Sequence, residues 1–112
     1  MIKGKKKKIL HNPAVGEILL SEFLEPAQLT PAKLASLIFM PLRLINQVIK
    51  GKRLMSADLD LRLCKFFSLS EGYFMRLQDA HAMMQAKRAL NKEFDRIIPF
   101  QQLLAKGQLY AH

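Results

Sequence analysis

The chain is short of cysteine and of long apolar runs. Its 112 residues contain one cysteine, Cys64, so no disulfide can form within it. Because Cys64 lies among Leu63, Phe66 and Phe67, we expect a buried thiol that packs as a small hydrophobic side chain. No apolar run approaches the roughly 20 residues of a membrane span. The start of the sequence lacks the apolar core of a secretory signal, and we therefore expect a cytoplasmic protein.

Motifs for catalysis and for metal binding are also lacking. The sequence has no phosphate-binding glycine loop, zinc-protease helix or nucleophile elbow. His81 stands on an apolar stripe with no second His, Cys or clustered carboxylate at ligand spacing, which favours a partly buried structural histidine over a metal ligand. The sequence therefore predicts a protein that is not an enzyme and that holds neither a cofactor nor a metal.

Acidic residues are half as numerous as basic ones, 9 against 18, and the net charge is +9. Five of the 18 basic residues are lysines between Lys3 and Lys8, so 13 basic and 9 acidic residues remain in the rest of the chain. A basic domain with a basic arm suits a polyanionic partner, because each neutralised phosphate releases counterions. The arm alone decides little, since it is equally well interpreted as a solvated tail or as a DNA-contacting segment.

Half of the residues are hydrophobic, and their helical spacing predicts an all-α protein. A first helix is expected from Val15 to Glu25, where Pro26 ends it. Ser70 is predicted to cap a longer helix, and a short terminal helix is expected after Pro99. The inner side of the longer helix would consist of Phe74, Leu77, His81 and Met84.

The segment that begins at Ser56 has two interpretations. Leu59, Leu61 and Leu63 alternate with polar residues, which taken alone is a strand pattern. A helix is favoured because Ser56 is a good cap and Asp58 would lie in the first turn, where the helix dipole favours negative charge. A lone strand would also lack an obvious partner.

Residues 30–53 are the most informative stretch, because they are typical of two short helices joined by a tight turn and followed by a basic exit. Thr30 can cap the first helix, and Pro31 suits its first position. The second helix begins near Pro41, with Ile45 and Val48 on one stripe and polar side chains on the other. Arg pairs with guanine, and Asn or Gln with adenine, through two hydrogen bonds each. The stretch therefore predicts a helix-turn-helix whose second helix enters the DNA major groove.

The predicted DNA contacts are of three kinds. Polar side chains of the second helix would read bases, while the exit cations and the start of the first helix would contact phosphates. An outward leucine would meet a thymine methyl group or a protein partner. A solvated helix surface is the alternative for the base-reading side chains, and each phosphate contact is a weak signal by itself because exposed Lys and Arg are common. The predicted base readers are Arg43, Asn46 and Gln47; the predicted phosphate contacts are Lys50, Lys52, Arg53, Thr30 and Lys33; and the outward leucine is Leu42.

Short motifs along the chain occur in the order typical of one protein family. They are Gly16-Glu17-Ile18-Leu19, Glu22-Phe23-Leu24-Glu25-Pro26, Leu34-Ala35, Ile45-Asn46, Gly51-Lys52-Arg53, Ala57-Asp58, Leu61-Arg62-Leu63 and Leu77-Gln78. On these residues the chain resembles the HigA/VapI-type antitoxins of the Cro/C1 (XRE) helix-turn-helix class, over about residues 15–86.

The resemblance implies a five-helix lambda-repressor-like helix-turn-helix domain with a C-terminal helical extension. It implies a homodimer that binds double-stranded operator DNA in its own promoter, and a RelE-type, mRNA-cleaving toxin as protein partner. We accordingly divide the chain into a basic arm (1–12), a DNA-binding domain (13–86, with the motif at about 30–50) and an extension (87–112).

Two features depart from the family pattern. The turn between the motif helices usually begins with Gly, whereas this chain has Phe39, and a bulky residue is disfavoured at positive φ. Leu42 and Leu44 occupy positions where the family tends to have polar or basic residues. Two alternative functions therefore stay open: a module that sequesters a toxin without binding an operator, and a helix-turn-helix regulator without a toxin.

Overall fold

The computed structural model describes residues 14–107, so the basic arm, the first residue of the predicted DNA-binding domain (13) and the last five residues lie outside the part described. Within that part the chain is helical and has no strand, which confirms the all-α prediction. None of these helices is long and apolar enough to cross a bilayer. The helices are α1 (Val15–Ile18), continued by a π-helical stretch (Leu19–Leu24), α2 (Pro31–Leu37), α3 (Leu42–Ile49), α4 (Ala57–Phe67), α5 (Tyr73–Arg96) and α6 (Phe100–Ala105).

The predicted helix starts at Thr30 and Ser56 are confirmed. The Thr30 hydroxyl accepts a hydrogen bond from the Lys33 N–H at 3.1 Å, and the Ser56 hydroxyl accepts one from the Leu59 N–H at 3.1 Å. The alternation in α4 belongs to a helix, because Leu59 is buried whereas Leu61 is 47% exposed. Both caps act within one turn of chain, which is why the sequence alone identifies them.

The hydrophobic core lies in the first of two compact units, which divide between Ala82 and Met83. Cys64 is part of this core, as the sequence predicts. Phe23 packs against three aromatic rings, those of Phe67, Tyr73 and Phe74, with centroids 5.1 to 5.9 Å apart. The buried apolar residues are Val15, Leu19, Leu24, Leu34, Ala35, Ile38, Ile45, Val48, Met55, Leu59, Leu63, Cys64 and Phe74.

Helices α2, α3 and α4 end in the same way, with a left-handed residue just past the helix. That residue is Phe39 (φ 59°), Gly51 (φ 77°) or Ser68 (φ 59°). In each case the next N–H bonds the carbonyl five residues back, at 2.8 to 3.0 Å, which is the pattern of a Schellman motif. The predicted stop at Gly51 is therefore confirmed.

The prediction that Ser70 caps α5 is wrong. The helix begins at Tyr73, and the Ser70 hydroxyl instead accepts a hydrogen bond from Arg76 Nη2 at 3.1 Å. Asp60, a buried residue of α4, caps the helix instead, from 12 to 15 positions earlier in the chain. Its carboxylate accepts hydrogen bonds from the N–H groups of Gly72 (2.7 Å), Phe74 (2.8 Å) and Met75 (3.1 Å).

The second unit exposes its large apolar side chains. Within residues 83–107 no residue is buried, and Met84, which the sequence places on an inner side, is 46% exposed. Asn91 interrupts the helical backbone with φ 43°, and Pro99 precedes the short α6 that the sequence predicts. The exposed apolar residues of this unit are Met83, Met84, Leu90, Phe94, Ile97, Ile98 and Phe100.

Candidate nucleic-acid interface

Helices α2 and α3 form the predicted pair, joined by residues 38–41. Met40 N–H bonds the Ala35 carbonyl at 3.0 Å, and Pro41 then adopts an extended conformation before α3 begins. The turn is short because Phe39 reverses the chain with φ 59°. Phe39 does adopt the positive φ that is disfavoured for a bulky residue. The residue is also 84% exposed.

Arg62, from α4, holds this turn. Its Nη1 donates to the carbonyl oxygens of Ile38 at 2.8 Å and Phe39 at 3.0 Å. Its Nε donates to Asp58 Oδ1 at 2.6 Å, one helical turn back along α4. The role of Arg62 in the turn cannot be predicted from the motif Leu61-Arg62-Leu63, because the two carbonyls that it bonds lie 24 and 23 positions away in the chain.

Helix α3 has one buried and one outward side, as predicted. Ile45 and Val48 are 0% and 1% exposed, whereas Arg43 and Lys50 are exposed. Asn46 is half-buried on the outward side. Fixing the buried stripe leaves the polar stripe facing away from the core, since the two stripes lie on opposite sides of one helix.

The outward side of α3 borders a surface depression of about 440 Å³. Three of its lining residues carry positive charge and none carries negative charge. It brings together six of the nine residues that the sequence predicts for DNA contact, which are Leu42, Arg43, Asn46, Gln47, Lys50 and Lys52.

Arg53 is tied to α3 by a side-chain hydrogen bond. Its Nε donates to Gln47 Oε1 at 2.8 Å. This bond joins a residue predicted to contact phosphate to one predicted to read a base. The terminal Nη groups of the guanidinium are separate donors, and a pair of acceptors can engage them in parallel.

Thr30 and Lys33 are not among the residues that line the depression. They lie at the exposed start of α2, where the Thr30 oxygen accepts the Lys33 backbone N–H. A hydroxyl that accepts one hydrogen bond still has its own proton to donate. Their predicted role, a phosphate contact from the side of the groove, thus concerns a different part of the surface.

Two further residues position α3 and its exit without having been predicted. A Cβ at Gly16 would stand 2.0 Å from the Val48 carbonyl oxygen, so α1 and α3 approach each other closely only because residue 16 is glycine. Gln78 accepts the Met55 N–H at 2.7 Å and donates to the Met55 carbonyl at 3.1 Å. Both residues occur in the motifs of the resemblance, which was the available signal.

Known proteins share this arrangement of helices. The antitoxin HigA of Pseudomonas aeruginosa, solved with the higBA promoter, is 30% identical, with a TM-score of 0.71 over 80% of this chain and 98% of that one. The virulence-associated protein I of Dichelobacter nodosus is 31% identical over 78 residues, which are 68% of this chain and 72% of that protein. The chain belongs to the HigA/VapI-type antitoxin family.

Another member of the HigA family, an addiction module antidote protein from Coxiella burnetii, is 28% identical, with a TM-score of 0.72 over 80% of this chain and 98% of that one. No protein-family model matches the chain. Of these relatives, the Pseudomonas and Coxiella proteins are named as an antitoxin and an antidote protein, and none is named as an enzyme, in agreement with the sequence-based prediction. The helix-turn-helix fold expected from the resemblance is confirmed.

Proposed function

We propose that this chain is a DNA-binding antitoxin that represses its own operon and neutralises a RelE-type, mRNA-cleaving toxin in the cytoplasm. The observation that carries DNA binding is the depression beside α3, which joins three cations to the amide side chains of Asn46 and Gln47. A relative with the same fold was solved with its promoter. The toxin partner and the autoregulation rest on family membership.

In the proposed complex α3 lies in the major groove. Arg43, Asn46 and Gln47 read base edges, and each good bidentate contact contributes about 1–3 kcal/mol to discrimination. Lys50, Lys52 and Arg53 contact phosphates where the chain leaves the groove, and Thr30 and Lys33 contact phosphates beside it. Leu42, which is 41% exposed, packs against a thymine methyl group.

The operator-binding form is a homodimer in this proposal. Two copies of α3 would enter successive major grooves about 34 Å apart, which requires a palindromic operator. The exposed apolar side chains of the second unit, Phe94 at 49% and Ile97 at 66% among them, support a protein contact there, because a second copy would remove them from water.

The experiment that tests DNA binding is a gel-shift titration of the full chain against the DNA upstream of its own reading frame. A scrambled duplex of the same length and base composition is the matched control, and both are measured at one fixed salt concentration. We expect binding of the upstream DNA at least 10³-fold tighter than of the scrambled duplex, as for specific repressors. Equal affinities for the two duplexes would contradict the repressor proposal.

One observation favours a second function, a module that sequesters a toxin without binding an operator. Phe39 is 84% exposed and Leu42 is 41% exposed, and apolar side chains on this side of the protein would bury well against a protein partner. Co-purification with the product of the adjacent reading frame, combined with the gel shift, separates the possibilities. Capture without a gel shift indicates sequestration alone, and a gel shift without capture indicates a regulator that has no toxin.

A further inference from the structure

Arg62 connects α4 to two carbonyl groups of the turn between α2 and α3. Its Nη1 donates to Ile38 O and Phe39 O, which are 24 and 23 positions earlier in the chain. The Arg62 Nε donates a charge-assisted hydrogen bond to Asp58 Oδ1 at 2.6 Å, which orients the guanidinium towards the turn. One cation, oriented by one carboxylate, thus bonds two carbonyls at the start of the turn that leads into α3.

The turn needs such support because its residue at positive φ is not glycine. Phe39 has φ 59°, a conformation that is disfavoured for a bulky side chain. The 84% exposure of Phe39 means that little burial of its ring compensates for the backbone strain. Only Met40 and Pro41 separate Phe39 from the first residue of α3, so a change in the turn passes directly to the start of that helix.

We propose that Arg62 is a positioning residue for operator recognition. By holding the Ile38 and Phe39 carbonyls, its guanidinium fixes the direction in which α3 leaves the turn, and thereby the place where Arg43 meets the bases. Arg62 itself does not contact DNA in this proposal. The inference rests on the proposed function of α3 as the helix that reads the operator, and its structural half, the holding of the turn, is tested separately.

The structural half is tested on the free protein by hydrogen exchange. Arg62→Met keeps an unbranched side chain but removes the hydrogen bonds to the turn. We expect the Met40 amide, which bonds the Ala35 carbonyl, to exchange roughly tenfold faster in the variant, in line with the loss of hydrogen bonds to a charged group. Amides of the α4 core such as Leu63 should exchange at their original rates. Unchanged exchange at Met40 would overturn the proposal.

The functional half is tested by the ratio of operator affinity to random-DNA affinity. For Arg62→Met we expect the ratio to fall about tenfold, through weaker operator binding and unchanged random-DNA binding. The slope of log affinity against log salt should stay at its wild-type value, because no phosphate contact is lost. A slope smaller in magnitude by about 0.9 would show instead that Arg62 contacts a phosphate, which contradicts its assigned role.

Arg76→Met is the matched control. Arg76 also donates from Nη1 to a backbone carbonyl, that of Glu71 at 3.2 Å, but at the start of α5 and not at the motif turn. The variant removes the same charge and should leave the affinity ratio unchanged. An equal loss of the ratio in both variants would assign the effect to charge alone and overturn the proposal.

A second variant separates positioning from a general loss of stability. Because glycine adopts positive φ without strain, Phe39→Gly should restore most of the affinity ratio in the Arg62→Met background. A lower melting temperature with an unchanged ratio in Arg62→Met would mean that Arg62 only stabilises the fold, which also overturns the proposal. If the wild-type chain itself shows no operator preference, the proposed function fails, and hydrogen exchange at Met40 still decides whether Arg62 holds the turn.

Discussion

Gly16 lies against the backbone of Val48, and a Cβ at position 16 would stand 2.0 Å from the Val48 carbonyl oxygen. The same Cβ would lie 2.9 Å from both the Cα and the carbonyl oxygen of Ile49. The atoms in the way are backbone, which cannot move aside as the end of a flexible side chain can. The absence of a side chain at residue 16 therefore sets the spacing between α1 and α3.

Replacing Gly16 with Ala should destabilise the protein although alanine is the better helix former. The preference for alanine in a helix contributes about 0.5–1 kcal/mol in favour of the variant, while overpacking typically costs about 1–3 kcal/mol. We expect a net loss of about 1–2 kcal/mol in the free energy of unfolding, measured by urea denaturation. Gly51→Ala is the control for a glycine replaced without a clash: nothing lies within 4 Å of an added Cβ, and the variant measures only the strain of alanine at positive φ. A Gly16→Ala variant more stable than wild type would refute the close approach.

Among the acidic residues in the described part of the chain, Asp60 is expected to lower the free energy of unfolding most when it is replaced. Its side chain is 2% exposed and accepts three backbone hydrogen bonds from the start of α5. Asp60→Asn puts an amide NH₂ in place of one accepting oxygen and turns a donor towards a donor. We expect the free energy of unfolding to fall by about 2–3 kcal/mol, measured by urea denaturation. Asp79→Asn, at an exposed position of α5, should change it by less than about 0.5 kcal/mol.

Asp60 also shows where prediction from this sequence stops. The caps at Thr30 and Ser56 can be predicted because each side chain accepts a hydrogen bond from the N–H three positions further on, so the signal is local. The Asp60 cap joins residues 12 to 15 positions apart, and its sequence neighbourhood gives no sign of it. Ser70 is predicted in its place because a serine shortly before an apolar helical pattern is the local signal of a cap.

The same distinction holds for the candidate interface. Helical spacing alone separated Ile45 and Val48 from the outward side of α3, and six predicted residues do line one depression. The Gln47–Arg53 bond and the Arg62 contacts could not be predicted, because they depend on how the chain folds back after α3 and α4. Periodicity thus identified the surface, but not the side chains that hold it in place.

Arg43→Ala should weaken operator binding more than random-DNA binding. Arg43 is exposed in the first turn of α3 and lines the depression, where a guanidinium can pair with a guanine edge. We expect a loss of about 1–3 kcal/mol on the operator, measured by fluorescence anisotropy with labelled duplexes at one salt concentration.

Lys52→Ala is the counterpart for a phosphate contact. It should weaken both duplexes equally and reduce the magnitude of the salt slope by about 0.9. Equal losses on operator and random DNA for Arg43→Ala would remove its base-reading role, and a loss confined to the operator for Lys52→Ala would remove its phosphate role.

Gln47 and Arg53 should act on DNA as a pair, since Arg53 Nε donates to Gln47 Oε1 at 2.8 Å. Removing either side chain frees the other from the position in which it meets the duplex. In a double-mutant cycle of Gln47→Ala and Arg53→Ala, we expect the double variant to lose less operator affinity than the sum of the single losses. The coupling should be about 0.5–3 kcal/mol, the range for residues in contact. Gln47→Ala combined with Lys33→Ala is the control, and its losses should add because Lys33 lies in the first turn of α2, away from that bond. Additive losses for Gln47 and Arg53 would mean that the two side chains meet the duplex independently.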